Sequence, residues 1–278
     1  MAASVDTETP TKIYDLEGED FFQRFNLKTV KSLGRGMSGE VFLVKSKSGS
    51  GRMLAVKKFS LSEDVRERSL RQFSTEAGVM QAVTHDHLVP CVMAARCHDY
   101  AVIAMPYYPR GDLVELGRQQ EPRRVNRYMS HVTRALDQLH RHNIAHNDVK
   151  LENVFLDRAD RAHLGDMGLA LEVKDESRTA LAGVVGGTRG YWSPEKLEAD
   201  TRDRIDPFKC DVYALGVMYW ALLSGEDPEE GIDYLGKVRA AKNLNLSSSQ
   251  RSTLERLLEP NPLERPTSSQ VVKMMKIK

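Results

Sequence analysis

Two segments near the middle of the chain are the most informative about its fold: His146-Asn147-Asp148-Val149-Lys150-Leu151-Glu152-Asn153 and, shortly after, Asp166-Met167-Gly168. The first places Asp148, Lys150 and Asn153 on one short loop, and the second adds the carboxylate of Asp166 beside a glycine. Phosphoryl transfer needs such a set, because a carboxylate accepts or orients the proton of the attacking hydroxyl and a lysine offsets charge on the moving group. An Asn and an Asp supply the oxygen atoms that Mg²⁺ prefers. The pattern H-x-D-x-K-x-x-N followed by D-x-G therefore predicts a phosphoryl-transfer site.

The bulk properties of the chain argue against several classes of protein. Its 278 residues include 40 Lys and Arg against 39 Asp and Glu, which gives a net charge of +1. This balance predicts neither a nucleic-acid footprint nor a polybasic face for a membrane surface. No apolar run reaches membrane-spanning length. We therefore expect no nucleic-acid partner and no membrane attachment. The length suffices for a sizeable core, in one large domain or two small lobes.

The cysteines and the first residues bear on location. Cys91, Cys97 and Cys210 are odd in number and widely scattered, which fits a reduced compartment better than a disulfide scaffold. The start Met1-Ala2-Ala3-Ser4 lacks the basic and apolar segments of a signal peptide, and Ala2 excludes N-myristoylation. We expect a cytoplasmic protein, with nuclear and host-delivered locations left open.

The N-terminal part of the chain has a strand-rich pattern. Residues 1–26 form the predicted N-terminal tail: residues 1 to about 20, polar and acidic with Thr and Pro, are expected to be loose, whereas Phe21, Phe22 and Phe25 are apolar enough to dock. Residues 27–59 predict three strands separated by a glycine turn and a Gly/Ser turn. Residues 62–83 predict a helix, and two short strands are expected before Pro106.

The pattern becomes helical after Gly111. Residues 125–142 predict a strongly amphipathic helix, and residues 212–223 are almost wholly apolar, which predicts a buried helix. Shorter helices are expected near residues 254–258 and 271–275. The pattern therefore indicates an α+β protein in which a small β-rich part precedes a larger helical part.

Further motifs appear in a fixed order along the chain. They are Gly34-Arg35-Gly36-Met37-Ser38-Gly39-Glu40-Val41, Ala55-Val56-Lys57, Glu76, Ser193-Pro194-Glu195, Asp211-Val212-Tyr213-Ala214-Leu215-Gly216 and Arg265. With the two central segments, they make the chain resemble the eukaryotic-type protein kinase family from about residue 27 to about residue 272. The match covers nearly the whole sequence.

The resemblance implies a bilobal protein kinase fold. Its small β-rich N-lobe, with one main helix, is expected over residues 27–105, after the tail of residues 1–26. The hinge and the larger, mainly helical C-lobe are expected over residues 106–278. ATP is the implied nucleotide, with Mg²⁺, and it is expected in the cleft between the two lobes, where ligand sites commonly form.

The predicted nucleotide-binding residues begin with three glycines, whose backbone can approach phosphate oxygens without interference from a Cβ atom. Strand-like residues follow the glycines, whereas a dinucleotide-binding turn would be followed by a helix. Met105 is expected to guard the back of the adenine pocket, and the hinge to present backbone groups to the adenine, with Pro106 offering only its carbonyl. The full predicted set is Gly34, Gly36, Gly39, Val41, Ala55, Lys57, Met105, Pro106, Tyr107, Tyr108 and Phe155.

Lys57 is expected to hold the α- and β-phosphates and to pair with Glu76. Strand alternation places Lys57 on the face of Ala55 and turns the adjacent Lys58 to the other face. The alternative is that Lys57 is an ordinary surface lysine without a role in binding. The assignment of its partner stays open at this point, because Glu63 and Glu67 also lie near the predicted helix.

The catalytic loop supplies the predicted catalytic residues. Asp148 is expected to be the general base, and a mere helix-capping role would not explain Lys150 and Asn153 at their spacings. Lys150, two residues after Asp148, resembles serine/threonine kinases rather than tyrosine kinases. Thr188 stands where its hydroxyl can bridge Asp148 and Lys150, with turn capping as its alternative. With Lys57 and Glu76, these residues complete the expected catalytic set.

The remaining predicted roles concern the metal and the structure around it. Asn153 and Asp166 are expected to bind Mg²⁺, which normally keeps several waters and needs few protein ligands. His146 is expected to pack behind the D-x-G segment as a structural residue. Met167 replaces the usual Phe there and is expected to make the packing more plastic without loss of metal binding.

Two further departures from the family pattern bear on regulation and stability. Asn147 stands where the family usually has the arginine that pairs with a phosphorylated activation-loop residue, and it cannot supply a charge. We therefore predict that activity does not depend on phosphorylation of Ser177 or Thr179. Ser193-Pro194-Glu195 replaces A-P-E, and the resemblance implies a buried charge pair between Glu195 and Arg265.

The leading functional hypothesis is a serine/threonine protein kinase that transfers the γ-phosphoryl group of ATP to a protein substrate. Asp112 and Glu152 fall where related kinases attract basic residues near the target hydroxyl, although both are also compatible with solvated surface acids. A pseudokinase, acting as a nucleotide-binding scaffold, would require loss of Lys57, Asp148, Asn153 or Asp166. A small-molecule kinase would typically lack the Lys150 and S-P-E features. A monomer is expected.

Overall fold

The computed structural model describes residues 13–36, 39–48, 51–117, 120–242, 244 and 246–275. The chain divides into two compact units. The first comprises the described residues up to Thr84 together with Val89–Tyr107, and the second comprises His85–Leu88 and the described residues from Tyr108 onward. Pro106 and Tyr107, expected at the start of the second part, therefore group with the first unit.

The first unit is built on one twisted sheet. Within the part of the chain that the structure describes, its strands are β1 (Ile13–Asp15), β2 (Leu27–Gly36), β3 (Gly39–Ser46), β4 (Met53–Ser60), β5 (Met93–Arg96) and β6 (Tyr100–Pro106). They lie in the order β1-β5-β6-β4-β3-β2. The β1–β5 pair is parallel and the other pairs are antiparallel. The expected strand pattern over residues 27–59 is confirmed in β2, β3 and β4.

Two helices accompany this sheet, α1 (Phe21–Arg24) and α2 (Arg66–Ala82). The buried positions of α2 include Phe73, Ala77 and Met80, at helical spacing, and the helix packs on β4 and β6. Phe73 meets Phe59 of β4 edge to face, with ring centroids 5.8 Å apart. Helix α2 begins later than the predicted residue 62, because Val65 donates its backbone N–H to the carbonyl of Ser62 in a preceding turn.

The expectation of a loose tail is wrong for residues 13–20, whereas the expected docking of the phenylalanines is confirmed. Strand β1 adds to the sheet beside β5, and the side chain of Phe21 is fully buried in the core of the first unit. Asp20 caps α1 by accepting from Gln23 N, and it also accepts from the Tyr100 hydroxyl at 2.7 Å. The three phenylalanines of this segment supply enough apolar surface to offset the entropy of ordering it.

The second unit is mainly helical. Over its described residues the helices are α3 (Pro122–Arg141), α4 (Pro194–Glu198), α5 (Pro207–Ser224), α6 (Tyr234–Ala240), α7 (Ser248–Leu257) and α8 (Ser268–Met274). Helix α3 buries the apolar stripe that its sequence predicts and packs on α5 and α8. Helix α5 is buried nearly all round, because its sequence is apolar on every face.

Caps define both ends of α5. Asp206 accepts from the backbone N–H groups of Phe208 and Lys209, and Pro207 occupies the first helical turn. Gly225 ends the helix with a φ of +79°, a left-handed conformation that a glycine adopts without strain. The predicted buried helix over residues 212–223 is thus confirmed and extends further toward its N-terminus.

Short strands position the loops of the second unit. In its described part they are β7 (Ile144–Ala145), β8 (Val154–Leu156), β9 (Ala162–Leu164), β10 (Leu171–Glu172), β11 (Ala180–Leu181) and β12 (Arg204–Ile205). They form the antiparallel pairs β8–β9, β7–β10 and β11–β12. The catalytic loop is held at its two ends by β7 and β8.

The predicted α+β organisation is confirmed, with a β-rich first unit that carries one main helix and a second unit that is mainly helical. All three cysteines are buried free thiols. Among the described residues, no helix combines the length and the apolar character needed to cross a bilayer.

We predict that Phe21→Ala lowers the free energy of unfolding by about 3–5 kcal/mol, because it leaves a cavity where a fully buried ring packs. Urea denaturation followed by fluorescence measures this loss. Val30→Ala, at a side chain of β2 that is 52% exposed, is the control and should change stability by less than about 0.5 kcal/mol. Equal, small effects of both variants would show that the segment does not contribute to the core.

Candidate functional site

The first unit contains a buried ion pair on the predicted nucleotide-binding face. Lys57 Nζ lies 2.7 Å from Glu76 Oε2, and the two residues are 5% and 1% exposed. Lys57 points inward from β4, whereas Lys58 points to the other face and lies over the ring of Tyr100. Glu67, one of the alternative partners, instead pairs with Arg71 on the exposed side of α2. The structure thus selects Glu76.

The three predicted glycines lie on β2 and β3. A Cβ atom at Gly39 would lie 2.3 Å from the Lys58 carbonyl oxygen, so this position, with a φ of +135°, requires glycine for local reasons. Gly34 and Gly36 would meet nothing within 4 Å if a Cβ atom were added. Their backbone is therefore open to an approaching group. Met37 and Ser38, between these glycines, lie outside the described residues.

Cross-strand pairs arrange the other predicted nucleotide contacts of the first unit. Val41 of β3 pairs with Lys57, and Ala55 of β4 pairs with Met105 of β6. Pro106 ends β6, and Tyr107 follows as the last residue of this unit. The sheet register therefore groups Val41, Ala55, Lys57 and Met105 on neighbouring strands, as the strand pattern predicts.

Two predicted nucleotide contacts belong to the second unit. The ring of Tyr108 stacks on that of Phe155, with centroids 5.9 Å apart and an interplanar angle of 24°. Phe155 lies on β8, and an isolated bridge joins it to Asp112. This contact brings two aromatic faces together at the start of the second unit.

The catalytic loop is anchored by Asp211 of α5. Its carboxylate accepts the backbone N–H of His146 at 2.7 Å, the backbone N–H of Asn147 at 2.8 Å, and a hydrogen bond from His140 Nε2 at 2.9 Å. Asn147 itself has a φ of +65°. Asp211 is only 2% exposed. Sequence reasoning placed Asp211 at the start of a buried helix but missed its role as an acceptor for the loop. The available signal was a single acidic residue next to a run of apolar residues.

Asp148, Lys150 and Thr188 form a closed hydrogen-bonded triangle. Thr188 Oγ1 donates to Asp148 Oδ1 at 2.8 Å and accepts from Lys150 Nζ at 2.8 Å. Lys150 Nζ also lies 2.8 Å from Asp148 Oδ2. Both oxygens of the Asp148 carboxylate are thus fixed by these contacts. The bridging position expected for Thr188 is the one observed.

The predicted metal ligands lie on connected segments. Asn153 Nδ2 donates to the backbone carbonyl of Asp148 at 2.8 Å and to Asp148 Oδ2 at 3.1 Å, which leaves its Oδ1 for a cation. The Gly165 N–H donates to the Asn153 carbonyl at 2.9 Å, next to Asp166. Asp166 has a φ of +56° and accepts from Gly168 N. An amide oxygen and a carboxylate are suitable Mg²⁺ ligands.

His146 has a structural position. Its side chain is completely buried, its Nδ1 accepts from the backbone N–H of Asp148 at 3.2 Å, and its Nε2 donates to the Gly165 carbonyl at 2.9 Å. These two bonds tie the catalytic loop to the segment that carries Asp166. The structural role expected for His146 therefore matches its contacts.

We call residues 166–195 the activation segment, and contacts with β12 hold its middle part. Arg204 of β12 forms an ion pair with Asp175, and its Nε donates to Thr179 Oγ1 at 2.8 Å. Ser177 Oγ and Thr179 Oγ1 lie 2.8 Å apart. The following residues form β11 and pair with β12. Sequence reasoning missed Arg204, because its distance from Asp175 in the sequence gave no sign of the pair.

The end of the activation segment is anchored by Glu195 and Arg265. The guanidinium binds the carboxylate through two parallel hydrogen bonds, with Nη1 at 2.7 Å from Oε1 and Nη2 at 2.9 Å from Oε2. The Arg265 side chain is fully buried, and its other donors reach the carbonyls of Glu259, Lys209 and Pro260. The charge pair that the resemblance implied is therefore present in the structure.

Burial shifts the pKa values of several groups around this anchor. It lowers the pKa of the Lys196 ammonium, and it raises the pKa of the Cys210 thiol to about 12. Burial also raises the pKa of the Tyr191 hydroxyl. At neutral pH Cys210 and Tyr191 are therefore uncharged, and Cys210 is too buried and too weakly acidic to act as a nucleophile.

The two acids considered for substrate recognition differ in position. Asp112 Oδ1 accepts the backbone N–H groups of Val114 and Glu115, both at 2.8 Å, so it caps a turn. Glu152 is exposed on the catalytic loop. The Asp112 carboxylate therefore binds backbone groups of its own turn, whereas the Glu152 carboxylate faces solvent.

Comparison with known proteins identifies similar chains. A family model described as the protein kinase domain matches residues 27–275. Rho-associated protein kinase 1 of Homo sapiens is 32% identical over 225 residues, which cover 80% of this chain and 16% of that protein. Serine/threonine-protein kinase MRCK gamma of Mus musculus is 30% identical over 237 residues, which cover 82% of this chain and 15% of that protein.

A third relative aligns over more of the sequence. The probable cell cycle serine/threonine-protein kinase CDC5 homolog of Encephalitozoon cuniculi is 28% identical over 279 residues, covering 95% of this chain and 56% of that protein. The chain thus spans less than two thirds of the length of each of these three relatives. The resemblance seen in the sequence motifs is confirmed by the family match.

We predict that Glu195→Gln lowers the free energy of unfolding by about 3–5 kcal/mol, because it leaves the buried charge of Arg265 without its counter-ion. Chemical denaturation measures the loss. Glu67→Gln breaks the exposed pair with Arg71 and should cost at most about 0.5 kcal/mol. A loss below about 1 kcal/mol for Glu195→Gln would contradict a stabilising role for the buried pair.

Proposed function

Because the chain belongs to the protein kinase domain family, we propose that it is a serine/threonine protein kinase that transfers the γ-phosphoryl group of ATP to a protein hydroxyl. The observation that carries the proposal is the triangle of Asp148, Lys150 and Thr188, in which a carboxylate is held by a hydroxyl and an ammonium. The names of the relatives, which are serine/threonine-protein kinases, support the same substrate class.

Asp148 would act on the substrate hydroxyl. Its carboxylate, oriented by Thr188 and by the amide of Asn153, accepts or directs the hydroxyl proton as the oxygen attacks phosphorus. Lys150 supplies positive charge next to this carboxylate, where negative charge moves with the transferred group. Catalysis of this kind consists mostly of positioning and of charge stabilisation.

Lys57 would bind the phosphates of ATP. Glu76 holds the Lys57 ammonium at 2.7 Å, so its position is fixed before any ligand arrives. Gly34 and Gly36 leave the adjoining backbone open, which allows its N–H groups to approach phosphate oxygens. The cross-strand group of Val41, Ala55 and Met105, with Pro106 and Tyr107 after it, would contact the adenine.

Asn153 and Asp166 would hold the Mg²⁺ ion. The donor set fits this ion, because the Asn153 amide is oriented by Asp148 with Oδ1 free and Asp166 adds a carboxylate. Bound Mg²⁺ neutralises charge on the phosphate oxygens. Two protein ligands suit Mg²⁺, which retains several waters in its coordination shell.

Other aspects of the function stay predictions. Preference for basic residues near the target hydroxyl would depend on Glu152 more than on Asp112, whose carboxylate caps a turn. The monomeric state, the cytoplasmic location and the lack of nucleic-acid and membrane partners are likewise proposals from composition. The pseudokinase alternative keeps no specific support, since Lys57, Asp148, Asn153 and Asp166 are all retained.

We predict that Asp148→Asn lowers kcat for phosphorylation of a generic basic protein by about 10²- to 10⁴-fold, because the amide cannot accept the hydroxyl proton. Transfer of radiolabel from γ-labelled ATP measures the rate. Asp200→Asn, at an exposed acid of the same unit, is the control and should keep the wild-type rate. ATP binding without any transfer by the wild-type protein would instead support the scaffold alternative.

We predict that replacing both Ser177 and Thr179 by Ala leaves kcat within about tenfold of the wild type, a barrier change of about 1.4 kcal/mol. The reason is that the Asp175–Arg204 ion pair and the β11–β12 pair hold the segment, while Asn147 carries no charge with which to bind a phosphate. The assay uses protein freed of phosphate by a phosphatase, next to the untreated enzyme. A larger loss would show that modification of this segment is needed for activity.

A further inference from the structure

Lys196 is a buried lysine in an unusual environment. It follows Glu195 in α4, is 6% exposed, and forms no ion pair with any residue that the structure describes. Its ammonium donates to the Gly186 carbonyl and lies 4.3 Å from the centroid of the Trp192 ring. Burying a charged side chain without a carboxylate partner costs several kcal/mol of desolvation free energy. In a buried ion pair, the attraction between the two charges offsets a cost of about this size. These two contacts, together with the attraction of the nearby Asp211 and Asp148 carboxylates, offset part of the cost of burying the Lys196 charge.

The carbonyl that Lys196 binds lies two residues before Thr188. The intervening Gly187 has a φ of +123°, and a Cβ atom there would lie 2.3 Å from the Asn147 carbonyl oxygen. The turn of residues 186–188 thus packs directly against the catalytic loop. A small shift of this turn would move the Thr188 hydroxyl away from Asp148 Oδ1, which it now reaches at 2.8 Å.

Lys196 and the catalytic loop line one common pocket. Asn147, Asp148, Thr188, Trp192 and Lys196 are among its lining residues. Two buried polar atoms of this region, Asn147 Oδ1 and Trp192 Nε1, find no hydrogen-bond partner within the described parts of the chain. These side-chain atoms therefore do not tie the turn to its surroundings, whereas the Lys196 ammonium does.

We propose that Lys196 is a positioning residue for phosphoryl transfer: its hydrogen bond to Gly186 holds the turn of residues 186–188 so that Thr188 keeps the Asp148 carboxylate oriented. Lys196 acts through Thr188 and does not touch the substrate. This inference rests on the proposed kinase activity and adds a residue to its machinery. No role in binding ATP follows from it, because all the contacts involved lie around Asp148.

The test is a double-mutant cycle between Lys196→Met and Thr188→Val, with kcat and KM for ATP measured for each protein. Lys196→Met should lower kcat by about tenfold or more, since small misplacements of catalytic groups cost up to about 10²-fold, and should leave KM for ATP unchanged. Because both residues act on Asp148 by the same route, the double variant should be no slower than Thr188→Val alone.

Lys209→Met is the matched control. Lys209 is another partly buried lysine of the same unit that donates to a backbone carbonyl, that of Arg265, and burial also lowers its pKa. Loss of this side chain should lower the thermal unfolding temperature, because its hydrogen bond to the Arg265 carbonyl is lost. The value of kcat should stay within about twofold of the wild type, because this bond does not involve the turn of residues 186–188. Its effects should combine additively with Thr188→Val.

Three outcomes would overturn the proposal: an unchanged kcat in Lys196→Met, a rise in KM for ATP as the main effect, or multiplying losses in the double variant. If Lys196→Met does not fold, Lys196→Leu replaces it in the cycle under the same criterion, because leucine also fills buried space and also removes the N–H donor. An inactive wild-type protein would refute the kinase activity itself. An active wild type with an unaffected Lys196→Met would refute only the positioning role.

Discussion

The buried carboxylate of Asp211 is the constraint on which the second unit depends. It is the acceptor for two consecutive backbone N–H groups of the catalytic loop and for His140 of α3. A loop that must present Asp148, Lys150 and Asn153 cannot use its own backbone in regular structure, so its N–H groups need another acceptor. Helix α5, buried on nearly all sides, provides that acceptor on a rigid element.

Buried charge is used in three different ways in this protein. Glu195 and Arg265 form a two-point pair whose remaining donors are all satisfied, which fixes the end of the activation segment. Lys57 and Glu76 form a buried pair on the face where phosphates are expected. Lys196 has a carbonyl and an aromatic ring in place of a carboxylate. The first contributes to stability, and we assign the other two to function.

Much of the fold and of the candidate site could be predicted from the sequence, because the informative residues sit close together along the chain. The loop from His146 to Asn153, the strand alternation around Lys57 and the apolar stripe of α3 are local patterns. The contacts that sequence reasoning missed join residues that are not neighbours in any regular element: Arg204 with Asp175, Lys196 with Gly186, and Asp211 with the loop backbone. No spacing rule reveals such pairs. The order of residues 13–20 was missed because the polar and acidic composition of this stretch favours a loose tail.

The position of β1 has a consequence for solubility. In the sheet order, β1 covers the outer side of β5, whose backbone groups would otherwise form an open edge that recruits strands from other molecules. The opposite edge, β2, is long, but its exposed residues include Lys28 and Lys31, whose charges oppose such pairing. Detachment of the segment before Leu27 would therefore expose the edge of β5 to pairing with strands of other molecules. The segment before Leu27, which packs on the core of the first unit, therefore also opposes self-association through this edge.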